Sequence, residues 1–401
     1  MSNFNRLLRG TLALAFVLSL GSTAHATTYI VGSCGTSAVF TGPDAISNLL
    51  DNVVVAGDTI EVCPDIIYDG NNVVYTPNIT ITNVPKQAKP FVSCTNTDGG
   101  APVIAGSDVG FLVLATGVTI KNFVISGCDV GVLAPSEYFD PADLANTITP
   151  SLQSIKNNYN LALANGASLR PVPTLFANVS PQIQTASRSK SKSKKNNNCP
   201  DKDVNLCVTG NVIEDNFIGV LTFEVEDMDI SNNSFVASAF AAVITIGSFS
   251  DKIDNNQVLG FQDVTSQSFN ASSGIIIVDG NQETVKGNNV QSTGVALDLE
   301  TLEFGTQQST VENNLTKYNA AGLGVDVVSF FLNGPELSSQ NNLSHNTSEN
   351  NLPPQVATPY YTADALDFTL GGGTGGTANS WHKDNCNTTQ DITGTSLCHQ
   401  K

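Results

Sequence analysis

Residues Met228–Gly247 read MDISNNSFVASAFAAVITIG, with two adjacent asparagines set between apolar runs. A buried amide needs a hydrogen-bonding partner, so asparagines beside core strands demand a source of partners. The same unit, an apolar residue, two others, then Asn, recurs along the chain. It appears as IEDNFI at Ile213, ISNNSF at Ile230, IDNNQV at Ile253 and VKGNNV at Val285, then more weakly as VENNLT at Val311 and SQNNLS at Ser339. The fourth positions are Asn216, Asn233, Asn256, Asn288, Asn314 and Asn342, spaced by 17, 23, 32, 26 and 28 residues. An irregular period in this range is a solenoid signal, with the length variation carried by loops.

Between the asparagines lie GVLTFEV (Gly219), AVITIG (Ala242), GIIIVDG (Gly274), GVALDLE (Gly294) and GLGVDVV (Gly322). These runs are short, β-branched and bounded by turn residues, and they lack helical periodicity. Stacked coils bring like residues over one another at about 4.8 Å. Each inward Asn can then bond to the Asn above and below, so repetition itself satisfies the amides.

On these repeats the chain resembles the right-handed parallel β-helix family, the pectin-lyase-like solenoids. GDTIEVCPDIIYDGNNVVYTPNITITN from Gly57 is similar to that family's first coils, and GVTIKNFVISG from Gly117 to its typical repeat. NSWHKDNC at Asn379, followed by a later LC, is similar to a C-terminal closing segment. The resemblance implies an all-β solenoid. It does not imply one activity, because the family spans lyases, hydrolases, epimerases, adhesins and phage tailspikes.

The organisation expected is an export signal at 1–26, a cap and first coils at 27–134, an insertion at 135–207, further coils at 208–350 and a closing tail at 351–401. Arg6 and Arg9, the apolar TLALAFVLSL and Ala24-His25-Ala26 make the signal. TGPDAISNLLDNVV has the spacing of a short capping helix. The insertion reads as helical and then as a disordered basic loop around RSKSKSKK, Arg188 to Lys195. No run approaches the length of a membrane helix. All eight cysteines follow the signal, which points to disulfides in an oxidising compartment. The simplest pairing is local: Cys34 with Cys63, Cys94 with Cys128, Cys199 with Cys207, and Cys386 with Cys398. His382 and His399 flank the last pair, where zinc is the alternative to a staple.

The chain carries a formal charge of −18. Without the two signal arginines it carries −20, and without the five basic residues of the tract −25. Such a surface repels nucleic acid and anionic lipid, and acidic polysaccharides unless cations intervene. Eleven basic residues remain, among them a single arginine, Arg170, so a lyase base flanked by arginines has little material. The galacturonan hydrolase pattern also fails: Asn-Thr-Asp occurs only at Asn96, and its paired Asp-Asp, Gly-His-Gly and Arg-Ile-Lys are absent.

One carboxylate arrangement stands out. Counted from the glycine opening each strand, the fifth residue is Asp298 after Gly294 and Asp326 after Gly322, with apolar residues on the alternate, inward side. If those glycines open consecutive coils, the two aspartates stack on the outer face about 5 Å apart, near Asp279 and Glu300. That spacing suits a retaining glycosidase pair. It also suits calcium held by Asp298, Asp326 and Glu300, although no cofactor is required, or simply a solvated acidic face. Phe304, Phe330, Phe331, Tyr318, Tyr360 and Tyr361 cluster late in the chain and could stack on sugar rings. The expected function is therefore non-catalytic display of an acidic surface to a glycan or cell-envelope ligand. The alternative is a polysaccharide hydrolase or lyase using Asp298 and Asp326. The sequence leaves the oligomeric state open.

Overall fold

A computed structural model describes residues 26–34, 40–95, 108–135, 204–260, 273–301, 304–327, 337–351, 363–391 and 396–398. The chain folds as a right-handed parallel β-helix. Three parallel sheets of eleven, ten and ten strands form its faces, and each coil visits them in turn. In the coil of the opening stretch, Met228–Ser231 lies on the first face, Ser234–Val236 on the second and Ala241–Ile246 on the third.

Identical side-chain phase in every coil builds the core. On the first face the inward column runs Ile60, Ile81, Ile120, Val208, Ile230, Ile253, Val285, Val311, Leu343 and Trp381, in register and buried. On the second face Phe235, Val258 and Val290 give way to Thr316 and Ser348, whose hydroxyls bond to each other at 2.7 Å. The N-terminal end is covered by the helix Ala45–Asn52, which buries Ala45, Ile46, Leu49 and Leu50. That is the cap read from TGPDAISNLLDNVV. At the other end Ala365–Asp367, Ser380–His382 and Asn385–Cys386 extend all three sheets. Coils thus continue past residue 350, where a tail was expected.

The asparagine ladder exists, with different end members from those expected. Between the first and second faces it runs Asn211, Asn233, Asn256, Asn288, Asn314 and Asn346. Asn211 Oδ1 accepts from the Phe123 N–H at 2.9 Å, and each later Oδ1 accepts the backbone N–H of the preceding rung at 2.9–3.0 Å. Each of these asparagines is buried. The same apolar-x-x-Asn unit begins at Val208 and at Leu343, inward residues of the first face. Asn216 belongs instead to the corner after the second face, where its Oδ1 accepts from the Cys128 N–H at 2.8 Å. Asn342, the second of two adjacent asparagines, opens a first-face strand and points outward, exposed.

Two further ladders occupy the other corners. One runs Thr293, Asn319 and Asn351, and the other Ser309, Asn341 and Asn379. In all three, donors point toward the C-terminus, and each ladder ends on a buried carboxylate that only accepts. Asn346 Nδ2 donates to Asp384 at 2.8 Å, Asn351 Nδ2 to Asp364 at 2.9 Å, and Asn379 Nδ2 to Asp367 at 3.2 Å. Aligned amides polarise one another, so an anion at the donor end is the favourable terminator.

Disulfides join Cys34 to Cys63, Cys94 to Cys128 and Cys386 to Cys398, as expected. Cys207 is also disulfide-bonded. Cys199, the insertion's basic tract and the expected signal lie outside the described residues. Among the described residues no helix is long and apolar enough to cross a membrane.

Candidate functional site

Asp298 lies on the outer side of the third face, in a column with Leu133, Leu221, Ile244 and Ile276 before it and Gly324 and Leu366 after. Much of this outer side carries a second apolar cluster, including Leu133, Leu221 and Ile244. The third-face strands are therefore apolar on both sides, and Asp298 is only 1% exposed, Glu300 4% and Asp326 0%. The solvated acidic face expected here is a buried one.

The stacking expected of Asp298 and Asp326 is not present. Asp298 pairs with Gly324, and Leu299 with Val325. Asp326 donates its N–H to the Leu299 carbonyl at 2.8 Å and sits level with Glu300. The cause is coil length. The ladder rungs Asn288 and Asn314 are 26 residues apart, so Gly322 aligns inside the strand, not at its opening. Gly324 is needed where it is, since a Cβ there would fall 2.6 Å from Asp298 Oδ1.

Asp326 is occupied by the coil before it and by the segment that follows it. Its Oδ1 accepts from the Thr301 and Ser338 hydroxyls, each at 2.8 Å, and its Oδ2 from the Ser338 N–H at 3.1 Å. Burial still pushes its carboxyl up to about 6. The polar neighbours of Asp298 are the Glu300 carboxyl, with which it shares a hydrogen bond, and the Val327 N–H. Burial first, and the Glu300 charge second, hold that acid well above the usual carboxylate range. With Asp326 turned to Thr301 and Ser338, the calcium triad of Asp298, Asp326 and Glu300 is not assembled. Among the described residues no three His, Cys, Asp or Glu side chains are placed to hold a metal ion.

Accessible chemistry lies at the corner joining the third face to the first. A cleft of about 250 Å³ is lined there by Val113, Leu114, Thr116, Asn205, Glu224 and Glu226, among others. Glu224, Glu226 and Asp227 are exposed. Asn205 Nδ2 donates to the Glu226 carbonyl at 2.9 Å and fixes the rim. Bridges then carry the corner through successive coils as Glu226, Phe249, Asn281, Gln307 and Ser339. Phe249 is 38% exposed and Phe304 69%. Asp279 Oδ1 accepts from the Phe304 and Gly305 N–H groups at 3.1 and 2.7 Å, which positions the second ring. The two phenylalanines stand two coils apart, about 10 Å along the axis.

The sequence singled out Phe304 but missed Phe249 and the Glu224–Asp227 rim. The available signal was an aromatic in a turn, Ser-Phe-Ser after Gly247, where no core position exists. Tyr318 is exposed as well, at the corner before the third face. Phe330, Phe331, Tyr360 and Tyr361 lie outside the described residues.

No family model and no curated protein matches this sequence. Solved structures similar to it include a polygalacturonase from Erwinia carotovora ssp. carotovora, 9% identical, with 95% of this chain and 98% of that chain covered and a TM-score of 0.40. An alginate lyase from Paenibacillus sp. str. FPU-7 is 9% identical, with 94% and 98% covered and a TM-score of 0.38. A GH136 lacto-N-biosidase from Eubacterium ramulus is 10% identical, with 87% and 67% covered and a TM-score of 0.39. At these scores no activity transfers to this chain.

Proposed function

We propose that this is an exported, non-catalytic β-helix protein that binds a polysaccharide along the corner between its third and first faces. The observation that carries the reading is the exposure of Phe249 and Phe304 on one acidic corner, beside an open cleft. Aromatic faces stack on pyranose rings, while carboxylates and amides such as Glu226, Asn281 and Gln307 accept or donate to sugar hydroxyls. The net charge favours neutral or amino-bearing glycans over uronans, since an acidic polymer is repelled. Disulfides accord with an oxidising compartment. The enzyme alternative needs Asp298 and Asp326 side by side facing substrate, whereas both are buried and out of register.

A glycan array spanning neutral, amino and uronic polymers, run beside reducing-sugar and unsaturated-uronate assays, tests the reading. Expected are binding to neutral or amino glycans without turnover, and a loss of roughly tenfold, about 1.4 kcal/mol, in Phe304→Ala. Failure to bind any such glycan, or turnover abolished by Asp298→Asn, overturns it.

A further inference from the structure

At the C-terminal end, two histidines from consecutive coils face one another on the outside of the solenoid. His345 follows the first-face strand Asn342–Ser344, and His382 closes the next one, Ser380–His382. Their ring centroids are 6.2 Å apart with the planes perpendicular. Both are exposed. The backbone fixes the pair: the His345 N–H donates to the His382 carbonyl at 3.1 Å, and His345 holds a left-handed φ of 56°.

We propose that His345 and His382 form a surface site for a divalent transition metal, with zinc, nickel or copper as its ligand class. Imidazole nitrogens bind zinc at about 2.0–2.1 Å, which places the centroids of two ligating rings roughly 5 Å apart at a tetrahedral angle. The observed 6.2 Å is about 1 Å longer, a gap that rotation of two exposed side chains closes. Imidazole ligands select these metals over calcium or magnesium, which take oxygen donors. Water fills the remaining positions of the coordination sphere. Asp384 is not a ligand: one of its oxygens takes Asn346, and the other the His382 N–H at 3.2 Å. The strongly negative surface raises the local concentration of any cation. A metal bridging the two rings ties the last coil to the one before it, in the same closing region as the Cys386–Cys398 bond.

The site is independent of the glycan-binding corner and is tested without any glycan. The full-length protein is titrated calorimetrically with zinc chloride after EDTA treatment and desalting, alongside His345→Ala and His382→Ala. Both positions are exposed, so neither change disturbs the core. The expected result is one zinc equivalent on the unaltered protein, at least tenfold weaker binding in each variant, and no competition from calcium. A chain that binds no zinc overturns the proposal. So does either variant that binds as the unaltered protein does, since zinc held by His25, His399 or carboxylates would survive both changes.

Discussion

Replacing Asn256 by leucine, which is close to it in size, removes the central rung of the first ladder without opening space for water. Asn256 is fully buried. Its Oδ1 accepts from the Asn233 N–H at 3.0 Å and from Asn233 Nδ2 at 3.1 Å, and its Nδ2 donates to the Ile230 carbonyl at 2.8 Å. The substitution removes the partner of one backbone donor and a bond to one backbone carbonyl, and a buried polar group without a partner costs about 1–3 kcal/mol. The expected loss is therefore about 3–5 kcal/mol. Asn342→Leu is the control, because that residue faces outward and a surface change is worth within about 0.5 kcal/mol. Urea unfolding is followed by far-UV circular dichroism and by the fluorescence of the single tryptophan, Trp381, in the last coil's core. Comparing the two signals reports whether the solenoid unfolds as one unit or in sections. Equal stability for the two variants would refute the ladder reasoning.

Acid should stabilise this protein. Burial holds Glu283 at about 7 and Asp326 at about 6, and it pushes Asp251 and Asp298 the same way. Against unfolded values of about 4, the folded chain holds more protons between pH 4 and 7, so unfolding free energy falls as pH rises across that window. Asp326 alone contributes at most about 3 kcal/mol, and urea midpoints that rise from pH 4 to pH 7 would contradict the sign. Asp298→Asn keeps the side chain's size but removes an acid that burial keeps from ionising, so it should gain at least about 1 kcal/mol at pH 8 and change little at pH 4. Exchanging both Cys94 and Cys128 for alanine should cost about 2–4 kcal/mol, read from the same urea curves.

Periodicity made the solenoid legible. Apolar-x-x-Asn repeated often enough to give the coil, the inward phase and four of the six rungs in the first ladder. The ends were misread for a local reason. One coil contains more than one matching unit, so Ile213 led to Asn216 in place of Val208 and Asn211. At Asn341-Asn342 the neighbouring asparagines belong one to a different ladder and one to the surface. The third corner hides its ladder further, because Asp251 and Glu283 stand where amides stand in later coils. In a sequence they look like ordinary surface acids.

The carboxylate site failed through the same register question. Counting from Gly294 and Gly322 assumed a 28-residue coil, and two residues of error moved Asp326 from beside Asp298 to beside Glu300. Its burial had a signal in AAVITI and VALDLE, which are nearly continuous apolar runs. Strands of that kind are covered on both faces, in contrast to alternating ones with a wet side. The corner bearing Phe249 and Glu226 left only the aromatic of the Ser248-Phe249-Ser250 turn as a signal, since turns from separate coils assemble it.

Native-state hydrogen exchange addresses the stacked ladder most directly. The backbone N–H groups of Asn233, Asn256, Asn288 and Asn314 sit at corners between strands, yet each donates to a side-chain oxygen of the next coil. These four should exchange as slowly as the strand centres Ile230 and Ile253. Exchange at the rate of exposed turns would show that the amides do not stack, and the solenoid's internal order would have to be sought elsewhere.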